Sequence, residues 1–263
     1  MEVLPLSSSQ KRKEILFQLV KVCSRLDRFG ISDANLKGFK WIEMLEANHS
    51  LSQKEEWQVN EMKALLLNER GNQDEFLPIW YKLLKQYREA DRPEDVGKCL
   101  LTIANHFIML EDYENALPLY KEAYQLALEH KSIELQQVSG IMLIKYLCGA
   151  GYYSESLEYY NKIKPEIAFN PSMQNEVVKS YMELNKPDSA RIYLAARLLS
   201  ERGDKIVLNC MMAETYIPEG QEDSAFVFLD RAMKSYKERA KNYQKKGKEA
   251  ILPNCFLSPC YSF

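Results

Sequence analysis

The sequence predicts an all-α protein built from stacked antiparallel helix pairs. Long segments repeat apolar residues at i, i+3, i+4 and i+7, which is typical of a helix with one buried face. Glycine and proline, 10 of each, fall mainly at the breaks between these segments. The clearest pair spans residues 100–123, where a first stripe, the turn Glu111-Asp112 and a returning stripe follow one another: Leu100, Ile103, Ala104 and Phe107, then Ala116, Tyr120 and Ala123.

The first third of the chain shows the same design in a weaker form. Residues 1–10 read as a flexible lead and residues 11–29 as a helix that ends at Gly30. A capped second helix follows, and two more helices are expected over about 53–70 and 74–90. The expected inward residues are Leu16, Leu19, Val22, Cys23 and Leu26 on the first helix, Leu36, Phe39, Ile42 and Leu45 on the second, Trp57, Ala64 and Leu67 on the third, and Phe76, Trp80, Leu83 and Tyr87 on the fourth.

Further helix pairs are expected over residues 139–164, from Asn170-Pro171 onward, and over a last pair that carries Met212, Ala213 and Tyr216. The second helix of each pair carries a small residue where the two backbones approach most closely. These residues are Ala116, Ser156, Ala190 and Ala225, at successive spacings of 40, 34 and 35 residues. In the last pair Leu229 and Ala232 continue the same stripe.

This pattern resembles the tetratricopeptide repeat, which has a period of ~34 residues and a large-small pair answered by Ala-aromatic-Ala. The resemblance is specific over residues 97–233 and poor over residues 11–90. Ile144 and Val178 are bulkier than the small residues usual in the first helix, and Leu128 stands where the closing proline often lies. The resemblance implies an α-α superhelix, or solenoid, of about five to six such units with a concave groove.

The match to the repeat also suggests how the chain is divided. We expect a lead at 1–10, degenerate helical hairpins at 11–90, a repeat array with a basic terminal helix at 91–250, and a disordered or loosely docked tail at 251–263.

Composition argues against several classes of protein. The formal net charge is −2, so no global field attracts nucleic acid or membrane, and no segment approaches the ~20 apolar residues of a membrane span. Four of the six cysteines lie singly in helical stripes, and Cys255 and Cys260 have no nearby histidine. We therefore expect a cytoplasmic protein without disulfides, metal or cofactor.

Catalytic motifs are also missing from the sequence. The three histidines are not spaced for a triad or a metal site, and His106 reads as a helix-surface residue. No glycine-rich phosphate loop is found. The tyrosines at 152, 153, 159 and 160 have helical spacing, which favours packing over nucleotide stacking. The sequence therefore predicts a protein that is not an enzyme.

The phase of the repeat predicts which side chains face the groove. The residue after each small slot points away from the paired helix, and the residues one turn earlier share its face. Candidate groove residues are Asn105, Lys145, Lys179 and Glu214, with Leu101, Ile141 and Asn175 one turn before. An asparagine followed by two lysines suits a carboxylate or an acidic peptide. The alternative is that these are ordinary solvated residues on an exposed helix face.

Two functions from different classes remain open. One is a scaffold that binds a protein or peptide in the concave groove, and the other is the sensor part of a bacterial ligand-responsive transcriptional or signalling regulator, either stand-alone or truncated. The segment Arg231–Lys248, with eight basic residues and one glutamate, is the candidate for nucleic-acid contact. We favour a solubilising role for it, so no nucleic acid is expected.

Overall fold

The helices of this protein follow one another in pairs joined by short turns. The computed structural model describes residues 9–26, 34–69, 73–163, 173–200 and 204–245. Within these ranges the chain forms twelve α-helices and a 3₁₀ turn, without a β-strand. Consecutive helices make the dominant contacts. The predicted all-α architecture of stacked helix pairs is confirmed.

The contacts divide the chain into two units, residues 1–135 and 136–263. The boundaries expected from the quality of the repeat match, at residues 10, 90 and 250, stay predictions. The helices are α1 Ser9–Leu26, α2 Ala34–Asn48, α3 Gln53–Glu69, α4 Gln73–Glu89, α5 Pro93–Met109, α6 Tyr113–Glu129, α7 Ile133–Gly149, α8 Tyr153–Lys162, α9 Gln174–Glu183, α10 Pro187–Leu199, α11 Lys205–Glu214, the 3₁₀ turn Ile217–Glu219, and α12 Glu222–Lys245.

The helices from α3 to α8 have a regular spacing. They begin at residues 53, 73, 93, 113, 133 and 153, so each starts twenty residues after the last. A pair therefore repeats every forty residues here, which is longer than the ~34 residues of the tetratricopeptide period. The helices α3 to α7 are each 17 residues long, and this extra length explains the first predicted spacing of 40.

Six of the turns share one backbone geometry. Each has a residue at positive φ, and the next backbone N–H donates to a carbonyl five residues earlier, as from Asp112 to Phe107 at 2.9 Å. This is the Schellman arrangement, which satisfies the free carbonyls at a helix end. The positive-φ residues are Asp91, Glu111, Lys131, Gly151, Asn185 and Gly220.

The core of the first unit includes the α5–α6 pair, where the predicted stripes meet. Leu100, Ile103, Ala104, Ala116, Tyr120 and Ala123 are completely buried. Small residues at 104, 116 and 123 allow the two backbones to approach closely, and Tyr120 fills the space between them. The sequence prediction for this pair is confirmed.

In the second unit the bulkier first-helix residues are accommodated without loss of burial. Ile144 is fully buried and Val178 nearly so. Opposite Ile144, the Ser156 hydroxyl donates to the Ile144 carbonyl oxygen at 2.9 Å, which joins α7 to α8. Arg197 of α10 is also fully buried, and its Nη2 donates to Gln174 Oε1 of α9 at 3.0 Å.

Several predicted orientations are wrong. On α1, Val22 is exposed because the inward face runs through Leu16, Val20 and Cys23. On α2, Leu36 is exposed, while Ile42 and Leu45 are buried. His106 is buried, with 3% of its surface exposed, rather than lying on the helix surface.

Some predictions concern residues outside the described ranges. They include the break at Gly30, the start of a pair at Asn170-Pro171, the lead before residue 9 and the tail 251–263. The cysteines at 23, 99, 148 and 210 are buried, as expected of small core residues. Among the described helices, none combines the length and apolar character that a membrane crossing requires.

Candidate functional site

The predicted groove residues mostly reach solvent. Asn105, Lys145, Lys179 and Glu214 are exposed on α5, α7, α9 and α11. One turn before them, Asn175 is exposed, Ile141 is half-buried and Leu101 is almost fully buried. Leu101 and Asn105 belong to the first unit and the other five to the second.

In the first unit, Asn105 is engaged within its own helix pair. Its Oδ1 accepts a hydrogen bond from the Tyr120 hydroxyl of α6. This bond gives the buried tyrosine a partner, as a buried phenol requires. Asn105 therefore helps to join α5 to α6, whatever else it contacts.

In the second unit, the charges of Lys145 and Lys179 both act on one acidic residue, Glu176. Both ammonium groups act to lower the pKa of the Glu176 carboxyl. Each also lies over a tyrosine ring, Lys145 Nζ 5.3 Å from the Tyr146 centroid and Lys179 Nζ 6.0 Å from the Tyr153 centroid. Two cations, one on α7 and one on α9, therefore favour the charged form of the same carboxyl group.

Glu176 is the recessed member of this group. Its side chain is half-buried, and Oε2 has no hydrogen-bond partner within the described part of the chain. Burial is the largest influence on the pKa of Glu176 and raises it above the usual value, against the pull of the two lysines. The two lysines therefore do not fully offset the effect of burial on the Glu176 carboxyl.

A thiol contact also joins the two helices. Cys148 Sγ of α7 donates to the backbone carbonyl oxygen of Glu176 on α9 at 3.5 Å. Burial raises the pKa of the Cys148 thiol. Cys148 therefore stays protonated near neutral pH and acts as a packing residue rather than as a nucleophile. We refer to Lys145, Cys148, Tyr153, Glu176 and Lys179 as the lysine–glutamate site.

Glu214 extends the acidic character of the second unit. Its side chain is exposed, yet the protein around the carboxyl raises its pKa. The second unit thus presents both signs of charge on its first helices.

The sequence predicted Lys145 and Lys179 as groove residues, which stays a prediction, and it did not point to Glu176. Glu176 is three residues before Lys179 on α9, and residues three apart share a helix face. That spacing was the available signal. The position of Lys145 beside Glu176 depends on how α7 packs against α9, which the repeat pattern alone does not specify.

A second polar cluster lies in the first unit and is structural. The Tyr87 hydroxyl donates to Glu61 Oε1 at 2.6 Å, and burial raises the pKa of Glu61. Burial also raises the pKa of the neighbouring Cys99 to about 12, so its thiol is inert. Throughout the described ranges, histidine, cysteine, aspartate and glutamate do not gather in groups of three that suit a metal ion.

Comparison with known proteins gives a fold and no closer relationship. Neither a protein-family model nor a curated protein matches the chain. BtubC from P. vanneervenii is similar in structure, with a TM-score of 0.51 and 15% identity over 94% of this chain and 96% of that one. Aspartyl phosphate phosphatase F from Bacillus subtilis has a TM-score of 0.55 and 13% identity over 94% of this chain.

The chain covers 64% of that phosphatase, which is therefore the longer protein. Human IFIT1, in a structure of its dimer with PPP-AAAA, is 17% identical to this chain, and the match covers 83% of this chain and 55% of IFIT1. Its TM-score of 0.39 is too low to support a conclusion. The neighbours are helical-repeat proteins. At these identities the likeness shows the fold alone: this chain has an all-α helical-repeat fold.

Proposed function

We propose that the chain is a non-enzymatic scaffold of tetratricopeptide type that binds an acidic protein or peptide at the lysine–glutamate site. The observation that carries the proposal is the pair of exposed lysines on α7 and α9 whose charges both act on one half-buried carboxylate, that of Glu176. A carboxylate of the partner would accept hydrogen bonds from the two ammonium groups. Charge-assisted hydrogen bonds of this kind are stronger than neutral ones.

The aromatic and apolar surroundings suit a peptide. Tyr153 lies under Lys179, and Ile141 and Met182 are half-buried on the same helices. These groups can receive apolar side chains beside the acidic one, while the lysines fix its position. The buried, protonated Cys148 is consistent with binding rather than covalent chemistry.

Reversal of both lysine charges tests the proposal. Partners are captured from a lysate with the wild type and with Lys145→Glu/Lys179→Glu, and an acidic peptide from the captured protein is titrated by calorimetry. We expect the double variant to lose binding, because the entering carboxylate would meet three acidic side chains. Unchanged affinity would exclude this site.

Glu176→Gln, which removes a negative charge from the site, should have the opposite effect on affinity. Removing the internal competitor leaves both lysines to the partner, so we expect affinity to rise by roughly tenfold. The matched control is Glu183→Gln, which removes one exposed carboxylate from the same helix. An equal gain in the two variants would indicate a general effect of net charge instead of a local site.

The alternative is a sensor in which a ligand at the same site controls an attached or separate output, as in a bacterial regulator. The likeness to an aspartyl phosphate phosphatase is compatible with this function only at the level of fold. A ligand-dependent change in hydrogen exchange in α7 and α9, together with a genomic neighbour encoding a kinase or regulator, would favour the sensor over the scaffold. We propose a cytoplasmic location for either function.

A further inference from the structure

The first helices of the second unit contact one another in sequence. Cys148 Sγ of α7 donates to the Glu176 backbone carbonyl oxygen of α9 at 3.5 Å. Gln174 Nε2 of α9 donates to Met211 Sδ of α11, also at 3.5 Å. The helices α7, α9 and α11 therefore form a row, along which equivalent repeat positions follow one another.

One repeat position carries a charge on all three helices of this row. It holds Lys145, Lys179 and Glu214, which are 34 and 35 residues apart and exposed. These spacings match the tetratricopeptide period of ~34 residues. Each of the three directly follows a buried residue, namely Ile144, Val178 and Ala213. The row therefore presents two positive charges and then one negative charge.

The Glu214 carboxylate is left without a cation by the described part of its own chain. Its side chain forms neither an ion pair nor a hydrogen bond with the described residues. Glu176, by contrast, is subject to the charges of both lysines. Burial raises the pKa of Glu214, and no cation of the described chain opposes that effect. A cation from a partner would therefore stabilise the charged form of Glu214.

The distance between the two kinds of charge suits an extended peptide. Packed helices lie about 8–10 Å apart, so the backbones that carry Lys179 and Glu214 are separated by about 10 Å. An extended peptide rises about 3.3 Å per residue and spans this distance in about three residues. One short segment can therefore reach both Lys179 and Glu214.

The order of the charges also discriminates between peptides. A segment with an acidic and a basic residue can place the first at the lysines and the second at Glu214. A uniformly acidic segment would set a carboxylate against Glu214, and like charges in contact reduce affinity. Glu214 thus favours one class of acidic peptide over another.

We propose that Glu214 determines the specificity of the groove by binding a basic side chain of the partner, so that the preferred ligand is an extended peptide with an acidic and a basic residue about three residues apart. This inference rests on the proposed function, because the acidic residue must bind at Lys145 and Lys179. Glu214 adds a second contact, and it selects against partners that carry acidic residues alone.

Selection from a display library of random dodecapeptides tests the inference on the full chain. Peptides selected by the wild type should contain an acidic residue and a basic residue two to four positions apart. Glu214→Lys should select peptides in which an acidic residue replaces the basic one. Glu238→Lys is the matched control, since it makes the same change of charge at an exposed residue of α12 and should select the wild-type pattern.

Exchange of charges across the contact gives the sharper measurement. A peptide selected by the wild type is titrated by calorimetry, together with a version in which its basic residue is replaced by glutamate. Glu214→Lys should weaken binding of the first peptide by roughly tenfold and should restore binding of the second. Glu214→Gln should weaken the first peptide by a smaller factor and should not distinguish the two peptides. Circular dichroism of each variant establishes that the helices are intact.

The outcomes separate this inference from the proposed function. Selected peptides that are acidic but have no preferred basic residue would overturn the role of Glu214 and leave the lysines as the binding site. Equal binding of the two titrated peptides by Glu214→Lys and the wild type would also overturn it. A wild type that selects no acidic residue, or that selects no peptide, would overturn the proposed function and the inference together.

Discussion

His106 is a buried titratable side chain without a polar partner. On α5 it is 3% exposed, and its ring lies 4.7 Å from the Phe76 ring of α4. Neither ring nitrogen has a hydrogen-bond partner in the described part of the chain. Burial lowers the pKa of His106 below its usual value, because the charged imidazolium would lose its hydration.

This environment predicts a pH dependence of stability in the first unit. The folded pKa of His106 is lower than its unfolded value of ~6.5, so below that pH the unfolded chain binds more protons. The free energy of unfolding should therefore decrease as the pH falls through 6.5, by up to about 1.4 kcal/mol for each unit of pKa difference. His106→Phe, which keeps the ring beside Phe76, should reduce the decrease.

Urea unfolding of both proteins between pH 7.5 and 5 measures the effect. The difference between them isolates His106 from the carboxyls of Glu61, Glu176 and Glu214, whose pKa values are raised and whose linkage has the opposite sign. Parallel stability curves for the two proteins would show that His106 is charged in the fold or accessible to solvent.

At the level of elements, the repeated turn fixes where each helix ends. The turn residues at 91, 111, 131 and 185 are not glycine although they have φ between 51° and 58°. A left-handed conformation costs such residues roughly 1–2 kcal/mol relative to the right-handed one. The hydrogen bonds of the Schellman arrangement and the packing of the joined helices offset this cost.

Gly151 provides a direct measurement of that cost. Its φ is +83°, and a Cβ added there would meet nothing within 4 Å. Gly151→Ala should therefore destabilise the second unit by about 1 kcal/mol through backbone strain alone. Chemical denaturation measures the change.

The reciprocal substitution at an equivalent turn is the control. Lys131→Gly should raise the free energy of unfolding by about 0.5 kcal/mol. The relief of backbone strain exceeds the larger loss of backbone entropy that glycine undergoes on folding. A neutral Gly151→Ala would mean that the turn shifts to another backbone geometry, which hydrogen exchange at the N–H of Tyr152 would reveal.

At the scale of the molecule, helix pairing could be predicted because its signal is local. Apolar spacing, small residues and turn residues specify each helix and its partner within about forty residues of sequence. The buried set around Ala104 and Ala116 shows how directly such a signal determines packing. The predicted facing of Val22 and Leu36 failed, because near the start of the chain the apolar positions allow more than one helix phase.

The packing of one helix pair against the next could not be predicted from the sequence. The burial of His106 depends on Phe76 from the preceding helix, and the position of Glu176 depends on α7. Leu229 has the same repeat position as buried residues of earlier pairs and is nevertheless exposed. The repeat pattern predicts burial only where another helix packs against that position. Lys145 and Lys179 were predicted as groove residues and stay a prediction, whereas Glu176 was not predicted.

The charge of the whole chain leads to an expectation about nucleic acid. Net charge is −2, and two cations of α12 already have carboxylate partners. Arg239 donates to both oxygens of Asp204 at 2.7 Å, and Lys234 pairs with Asp230 at 2.7 Å. A phosphate backbone would have to compete with these contacts, so the basic character of the helix is smaller than its sequence suggests.

We therefore expect a fluorescent single-stranded oligonucleotide to bind no more tightly than about 100 μM at ~150 mM salt, as measured by anisotropy. Binding in the low micromolar range, with a loss of tenfold or more between about 50 and 200 mM salt, would contradict this expectation. In that event Lys237→Glu/Lys241→Glu would show whether α12 is the surface involved, because both lysines are exposed on that helix. A matched loss in Lys145→Glu/Lys179→Glu instead would place the phosphates at the lysine–glutamate site, where an acidic peptide and a nucleic acid would compete for the same two ammonium groups.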